Sequence, residues 1–281
     1  MKKSVKAILI GLLCAVIVCL SASSVLARAE TTVSRKNTDT DSSASAMALI
    51  DGDTGELLFS KNCDERREPA STTKICTAIT VLEHWTMLDI PVAVPDEAIG
   101  VEGSSIYLQK GEMLSVRDLL YGLMLQSGND CAVALAMIVG DSVEGFAELM
   151  NETAKKAGAL NTNFVNPHGL HHDDHYTTAY DLCMISYYAM KNDVFREIVA
   201  TKRHRMPYHN HDYDRNFPNK NKMLYNYQGG NGIKTGFTKA SGRCLVSSAT
   251  RNDKTYICTV LNCGDMWEES ARLLDRAFAR R

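Results

Sequence analysis

The sequence lacks internal repeats, low-complexity arrays and any excess of positive charge. Its 281 residues include 31 Lys and Arg against 33 Asp and Glu, and four of the basic residues but no acidic ones lie within residues 1–29. The remainder therefore carries 27 basic and 33 acidic side chains, which disfavours nucleic-acid binding. With 45% hydrophobic residues, the chain has enough apolar surface for one globular unit of two lobes.

The first 29 residues have the pattern of an export signal. Three lysines precede an apolar run from Ala7 to Leu20, and a small-residue cleavage site follows. This order predicts a cleaved signal peptide over residues 1–29 and an extracytoplasmic mature protein, secreted or associated with the cell wall. The alternative is an uncleaved anchor, the only membrane contact we expect, because the apolar run approaches the roughly 20 residues that span a bilayer. Residues 30–45, rich in Thr, Ser, Asp and Asn, predict a flexible tether.

The number of cysteines excludes a structure in which every cysteine forms a disulfide bond. Two of the nine cysteines, Cys14 and Cys19, lie in the predicted signal, so seven remain. An odd number cannot pair completely, and several of the seven occupy apolar positions of helix or strand patterns, where cysteine behaves as a small hydrophobe. We expect buried free thiols rather than a disulfide framework.

The string Ser71-Thr-Thr-Lys74 supplies a candidate nucleophile and base. Ser71 begins a run of helix-forming residues without Gly or Pro until Pro91, which predicts a helix start. The spacing of three places Lys74 on the same face, where its amine can reach the Ser71 hydroxyl. Lys74 can act as a base only if burial and a nearby second cation lower its pKa. Roughly one Ser-x-x-Lys string is expected by chance, and an N-cap serine beside a solvated lysine is the ordinary alternative.

Two further strings, Ser127-Gly-Asn129 and Lys234-Thr-Gly236, follow in that order. Taken singly, neither string indicates an active site. The first also suits a helix–turn–helix junction, and the second is common where a strand meets a turn. Lys234 is the candidate second cation. In this order the three strings together predict one serine acyl-transfer site.

Five segments carry a resemblance to a known family. They are Pro69-Ala-Ser71-Thr-Thr-Lys74, Ser127-Gly-Asn129-Asp-Cys-Ala-Val-Ala-Leu-Ala, Asn166-Pro-His168-Gly-Leu, Thr177-Thr-Ala-Tyr-Asp-Leu182 and Gly232-Ile-Lys234-Thr-Gly236-Phe-Thr238. The chain resembles the D-alanyl-D-alanine carboxypeptidases, the low-molecular-mass penicillin-binding proteins, over nearly all of residues 46–279. We find no Glu-x-x-Leu-Asn string before Lys234, which favours a peptidase over a class A β-lactamase.

The resemblance implies an exported serine-type D-Ala-D-Ala carboxypeptidase that acts on peptidoglycan stem peptides, is inhibited covalently by β-lactam antibiotics and needs no cofactor. It implies that Ser71 is acylated and that Lys74 takes its proton. Ser127 would relay a proton to the leaving D-alanine, and Asn129 would bind substrate and brace Lys74. The alternative function is a penicillin-binding sensor that acylates but hardly turns over.

The resemblance also implies how the substrate is held. Lys234 and Thr235 would lie on an edge strand and bind the terminal carboxylate, while Gly236 would allow a close backbone approach. The backbone N–H groups of Ser71 and Phe237 would form the oxyanion hole.

Periodicity and resemblance together predict an α/β (α+β) fold, β-lactamase/transpeptidase-like, with an antiparallel five-stranded sheet flanked by helices and a helical lobe. The catalytic domain would occupy residues 46–281, with its sheet lobe at 46–90 and 230–281 and its helical lobe at about 91–229. We expect no C-terminal β-domain or membrane-anchor helix. Predicted strands are Ala46–Asp51, Glu56–Lys61, Ile233–Phe237, Cys244–Ala249 and Tyr256–Leu261; predicted helices are Val116–Leu125, Ala132–Val139, Gly145–Ala157, Ala179–Met190 and Glu268–Ala279.

Two other kinds of active site remain open as alternatives. Residues 168–175 contain four His and two Asp, and His209 and His211 follow; these are ligand types of zinc peptidases that cut the same bond. We nevertheless expect no metal, since the family resemblance already explains His168 as part of a turn. Cys76 and Cys131 lie close to Ser71 and Ser127 in sequence, but no histidine motif accompanies them.

Overall fold

The computed structural model describes residues 35–280 and is built around a five-stranded antiparallel sheet. The strands of the described residues are β1 (Ala46–Asp51), β2 (Leu57–Lys61), β3 (Pro91–Ala93), β4 (Met113–Ser115), β5 (Arg203–Met206), β6 (Arg215–Pro218), β7 (Gly230–Thr238), β8 (Gly242–Arg251) and β9 (Lys254–Leu261). The large sheet has the order β2-β1-β9-β8-β7, so strands from both ends of the chain pair and β7 forms an edge. The predicted antiparallel five-stranded sheet is confirmed; the predicted signal peptide lies outside the described residues.

The helices of residues 35–280 lie between Lys74 and Phe278. They are α1 (Lys74–His84), α2 (Val116–Tyr121), α3 (Asn129–Gly140), α4 (Val143–Lys156), α5 (Ala179–Ala189), α6 (Asp193–Ala200), α7 (Met223–Asn226) and α8 (Met266–Phe278). Four of them begin at a side-chain cap, from Ser115, Ser142, Thr178 and Asn192, which satisfies N–H groups that the first turn leaves free. Over residues 35–280, none of these helices is long and apolar enough to cross a membrane.

Both faces of the sheet are covered, which explains why every residue of β1 is buried. Because successive side chains of a strand point to opposite faces, β1 divides its residues between two cores. Ala46, Ala48 and Ile50 pack with the helices of the middle segment, including α1 and α5. Met47 and Leu49 pack with α8 on the other face.

The predicted flexible tether is wrong for the part that the structure describes, residues 35–45. The Thr38 and Asp39 N–H groups donate to the Ser60 carbonyl at 2.8 and 3.1 Å, extending the contacts of β2. Asp39 is buried against Arg272 and Arg276 of α8. The polar composition misled the prediction, because these side chains form hydrogen bonds and ion pairs with the domain instead of solvating a free chain.

Element boundaries agree closely where periodicity is strong and fail where it is weak. The helix predicted over Val116–Leu125 is α-helical only to Tyr121 and continues as a π-helical turn over Gly122–Gln126. The small antiparallel pairs β3–β4 and β5–β6 were not predicted, and neither was α6. These strands have three or four residues each, too few for an alternating pattern to stand out.

Candidate active site

Ser71 lies on a 3₁₀ turn, Ala70–Thr73, that leads directly into α1. The Thr72 hydroxyl donates to the Pro69 carbonyl at 2.6 Å and closes this turn. Ala70 has a positive φ of 48°, a conformation that costs a non-glycine residue energy and is retained where the surroundings impose it. The turn presents Ser71, which is half-buried, at the junction of the helices and β7.

Lys74 is the centre of the hydrogen bonding around Ser71. Its side chain is completely buried, and its Nζ lies 3.2 Å from Ser71 Oγ. Nζ also donates to Asn129 Oδ1 and to the His168 carbonyl, both at 2.7 Å. The alternative of a solvated lysine is therefore wrong, and the structure brings three of the predicted regions together at one amine.

Burial lowers the pKa of Lys74 well below its ordinary value, and the positive charge of Lys234 lowers it further. Lys234 is itself 2% exposed, and burial followed by the charge of Lys220 lowers its pKa to about 7. Lys74, Lys220 and Lys234 thus lie in one region. Their mutual repulsion and burial hold at least one of the two buried amines, Lys74 or Lys234, close to its neutral form.

A tight turn over residues 166–170 carries the carbonyl that holds Lys74. Asn166 Oδ1 accepts from the Gly169 N–H at 2.7 Å, and Asn166 Nδ2 donates to the Leu170 carbonyl at 3.0 Å. Gly169 has a φ of +85°, and a Cβ there would lie 1.8 Å from the Ala70 carbonyl oxygen. The turn therefore packs directly on the backbone that precedes Ser71.

The Ser127-Gly-Asn129 segment joins the π-helical turn to α3. Ser127 is 6% exposed and has a left-handed φ of 64°. Besides accepting from Lys74, Asn129 donates through Nδ2 to the Glu102 carbonyl at 2.6 Å, and its N–H donates to the Ser104 carbonyl at 2.6 Å. Asn129 thus links Lys74 to the loop over residues 102–108.

Asp130, the next residue, does not cap α3. Its carboxylate accepts from the Ser105 hydroxyl and from the Ile106 and Leu108 N–H groups at 2.6–3.2 Å. Asp130 therefore anchors the same loop that Asn129 contacts.

Strand β7 brings the Lys234-Thr-Gly236 string against the turn that holds Ser71. A Cβ at Gly236 would lie 3.1 Å from Ser71 N and from the Pro69 carbonyl oxygen. Only a glycine allows the two backbones to lie this close without a shift. The Thr235 carbonyl accepts from Lys234 Nζ at 3.1 Å, and the side chain of Phe237 is exposed.

The histidines of residues 168–175 are dispersed among separate partners. Buried His175 contacts Thr73 Oγ1 through Nε2 at 2.9 Å and accepts from the Val165 N–H at Nδ1, whereas His171 pairs with Glu68 at the surface. Within residues 35–280, no group of three His, Cys, Asp or Glu side chains is arranged to hold a metal ion.

The seven cysteines of the described residues are all buried and free, as the sequence predicted. Burial raises the pKa of Cys76 to about 12 and that of Cys131 well above its usual value. Both thiols therefore stay protonated, which argues against a cysteine nucleophile.

Sequence reasoning missed four groups of this site. The His168 carbonyl and the Glu102 and Ser104 carbonyls are backbone groups, which leave no residue-type signature. Lys220 also escaped attention, although its Nζ donates to the Gln126 carbonyl at 2.8 Å, next to Ser127. Only the local concentration of Asn and Lys at residues 219–222 could have indicated it.

Comparisons with known proteins identify the family. A family model described as D-alanyl-D-alanine carboxypeptidase matches residues 30–264. The D-alanyl-D-alanine carboxypeptidase DacF of Bacillus subtilis is 34% identical over 246 residues, covering 84% of this chain and 62% of that protein. DacC of Escherichia coli, which has the same enzyme name, is 35% identical over 264 residues, covering 89% and 64%.

A solved structure agrees with these matches. The crystal structure of a D-alanyl-D-alanine carboxypeptidase from Mycobacterium tuberculosis has a TM-score of 0.80 and 29% identity, covering 85% of this chain and 92% of that one. The chain spans less than two thirds of the length of DacF and DacC. The family match nevertheless includes every residue that meets around Ser71, and the predicted resemblance is confirmed: the chain belongs to the D-alanyl-D-alanine carboxypeptidase family.

Proposed function

We propose that this protein is an exported serine-type D-Ala-D-Ala carboxypeptidase that removes the terminal D-alanine from peptidoglycan stem peptides through a Ser71 acyl-enzyme. One observation carries the proposal: the buried Lys74 amine lies 3.2 Å from Ser71 Oγ and donates to two oxygen acceptors at 2.7 Å. A neutral amine has two N–H donors and one lone pair. With both donors used, the lone pair is left to accept the Ser71 proton.

In the acylation step, Ser71 Oγ attacks the carbonyl carbon of the D-Ala-D-Ala bond and its proton passes to Lys74 Nζ. The carbonyl oxygen becomes an oxyanion that accepts from the backbone N–H groups of Ser71 and Phe237. The close approach of Gly236 to Ser71 N supports this pairing. Such donors typically contribute about 10²–10³ each in rate.

Collapse of this intermediate breaks the C–N bond and leaves an ester on Ser71. The leaving D-alanine amine takes a proton through the Ser127 hydroxyl, which Lys74 replenishes, while Asn129 fixes Lys74 and contacts the peptide. Water then hydrolyses the ester and regenerates Ser71. Until that D-alanine leaves, Lys234 and Thr235 bind its terminal carboxylate, and binding of that anion favours the charged form of Lys234.

The proposal places the protein outside the cytoplasm. Its catalytic domain would be residues 46–281, following a signal peptide over residues 1–29, and β-lactam antibiotics would acylate the same serine. The basic and apolar start of the sequence supports export, and membership in a cell-wall peptidase family supports the location. Membrane contact arises only if the N-terminal segment is not cleaved.

Mass spectrometry of the mature protein tests the proposal in one experiment. Incubation with penicillin should add one acyl group at Ser71, and Ser71→Ala should abolish the label while the protein stays folded, because loss of one hydroxyl leaves no large cavity. Incubation with diacetyl-Lys-D-Ala-D-Ala should release D-alanine before and after dialysis against a chelator. Labelling of Ser71→Ala would contradict the nucleophile assignment.

Two other results would separate the remaining alternatives. Stable penicillin labelling without D-alanine release would identify a penicillin-binding sensor. Activity lost to the chelator but not to penicillin would point to a metallopeptidase.

A further inference from the structure

Exposed aromatic side chains gather at the tip of the β5–β6 hairpin and on the loop beside it. Tyr208 stacks on His211 with ring centroids 4.0 Å apart, and Tyr213 contacts both rings at 5.9 and 4.9 Å. Tyr213 is 59% exposed, and Tyr107 on the neighbouring loop is 74% exposed. We call these four residues the tyrosine surface.

A buried ion pair holds the two parts of the tyrosine surface together. Arg215 and Glu112 have side chains only 4% and 2% exposed and form two hydrogen bonds. The same guanidinium lies 4.0 Å from the centre of the Tyr208 ring and donates to the Tyr107 carbonyl at 2.8 Å. Buried ion pairs generally add little net stability but can fix one geometry, and here the geometry fixed is that of the exposed rings.

The tyrosine surface is continuous with the candidate active site. The Tyr107 N–H donates to Ser105 Oγ at 2.8 Å, and Ser105 Oγ donates to the Asp130 carboxylate at 2.6 Å. Asp130 follows Asn129, which contacts Lys74 directly. Two hydrogen bonds therefore separate Tyr107 from the Ser127–Asp130 segment.

The chemistry of the surface selects a neutral, ring-shaped ligand. Tyrosine rings offer flat apolar faces with a negative quadrupole, and their few rotatable bonds make such contacts inexpensive in entropy. The C–H groups on the face of a sugar ring carry the complementary partial charge. Asp212 and Asp214 lie at the same hairpin tip and are exposed, so they can accept from sugar hydroxyl or amide groups.

We propose that the tyrosine surface binds the N-acetylated sugars to which the stem peptide is attached, so that the substrate class is glycan-linked rather than free peptide. This inference rests on the proposed function. Four residues of extended stem peptide span at most about 14 Å, and the sugars lie beyond that peptide. The contacts that run from Asn129 through Tyr107 and Arg215 to Tyr208 give those sugars a surface continuous with the site. The same peptide should therefore be captured better when its sugars are present.

The test compares D-alanine release from one pentapeptide supplied free and attached to its N-acetylglucosaminyl-N-acetylmuramyl disaccharide. The protein should have a KM about tenfold lower for the disaccharide-linked form, equivalent to about 1.4 kcal/mol. Tyr213→Ala and Tyr107→Ala should bring the KM ratio of the two substrates close to one, and Tyr213→Phe, which keeps the ring, should preserve the tenfold ratio. Leu160→Ala, which truncates another exposed side chain, is the control and should leave the ratio unchanged.

A direct measurement of sugar binding distinguishes failure of this inference from failure of the proposed peptidase function. Chitotetraose should perturb the tyrosine resonances of the protein but cause no perturbation in the Tyr107→Ala/Tyr213→Ala double variant. Equal KM values for the two substrates, together with no chitotetraose binding, would overturn the inference while leaving the peptidase proposal intact. Stronger binding of a teichoic acid than of chitotetraose would also overturn it. Absence of D-alanine release from either substrate would refute the proposed function, and chitotetraose binding alone would then decide the inference.

Discussion

At the scale of single residues, the proposed chemistry depends on which of two buried lysines is charged. Lys74 donates to two oxygen atoms and faces Ser71, whereas Lys234 makes one hydrogen bond, to its neighbour's carbonyl. Burial lowers the pKa of both amines. A substrate carboxylate next to Lys234 would favour its charged form and thereby hold Lys74 neutral, so substrate binding itself prepares the base.

Replacing each lysine by arginine should separate the two roles. Lys74→Arg keeps the charge but cannot give up its proton, so penicillin acylation should fall by about 10²–10⁴-fold at every pH from 6 to 10. Lys234→Arg keeps a partner for the carboxylate and should retain measurable acylation, with the loss mainly in substrate capture.

The pH profile of kcat/KM distinguishes the two lysines, because loss of a proton should raise the rate at Lys74 and lower it at Lys234. In the unmodified protein the rate should rise with pH as Lys74 loses its proton and fall above about 7 as Lys234 loses its own. Lys234→Arg should remove the alkaline fall because a guanidinium stays protonated. If Lys74→Arg is acylated as fast as Lys234→Arg, Lys74 is not the base.

His175 connects the pH dependence of stability to the same region. It is 2% exposed, and its pKa is lowered by burial to about 3, while that of His168 is lowered to about 4. Between pH 6.5 and about 4 the unfolded chain binds protons that the folded chain excludes, so stability should fall as the pH falls, by up to about 1.4 kcal/mol per pH unit for each histidine.

Urea unfolding at several pH values measures this dependence. His175→Asn should lower stability at pH 7 and flatten the slope between pH 6.5 and 4, while His84→Asn, at an exposed position, should leave the slope unchanged. An equal slope in His175→Asn would show that His175 is not a source of the acid sensitivity.

At the scale of elements, the turn over residues 166–170 determines where Lys74 points. Gly169→Ala would place a Cβ 1.8 Å from the Ala70 carbonyl and push the His168 carbonyl away from Lys74. Displacements of about 1 Å can cost roughly 10²-fold in rate, so we expect a loss of that order in penicillin acylation. Measured rates in the pre-steady state would show it.

Gly158→Ala is the matched control for this substitution. Gly158 has nearly the same φ, +87°, but the nearest atom to its added Cβ is a methionine methyl group at 3.9 Å. It should cost about 1–2 kcal/mol of stability from the left-handed backbone alone, with acylation unchanged. Equal acylation by both variants would mean that the turn does not position Lys74.

The same turn shows what a sequence can and cannot predict. Strand β1 follows from an apolar run that ends at a turn, and helix α4 follows from its apolar period. The strings around Ser71 and Lys234 indicate site residues because the proposed chemistry uses their side chains. The His168 carbonyl lies 94 residues from Lys74 and acts through its backbone, so no residue type marks it. Hairpin β5–β6 was missed for a different reason: its strands have four residues each, too few for the alternating burial of β6 to stand out in the sequence.

At the scale of the whole molecule, the two ends of the described chain meet across the sheet. Residues 35–45 run beside β2, and α8 covers the face of the sheet that holds Met47 and Leu49. Asp39 joins them: its carboxylate is 2% exposed and accepts from Arg272 at 3.2 Å and Arg276 at 2.6 Å. The segment that leads into the domain thus helps to hold the last helix against the sheet that carries the site.

Removal of the Asp39 charge should therefore lower the stability of the domain without changing the candidate active site. Asp39→Asn should lower the free energy of unfolding by about 1–3 kcal/mol, because two arginines lose a buried carboxylate while remaining partly in contact with water. Asp41→Asn, two residues away and exposed, should stay within about 0.5 kcal/mol of the unmodified protein. Urea titration monitored by circular dichroism measures both values. Equal midpoints for the two variants would show that residues 35–45 contact the domain without stabilising it. A lower penicillin acylation rate in Asp39→Asn would show that the sheet transmits the change to Ser71.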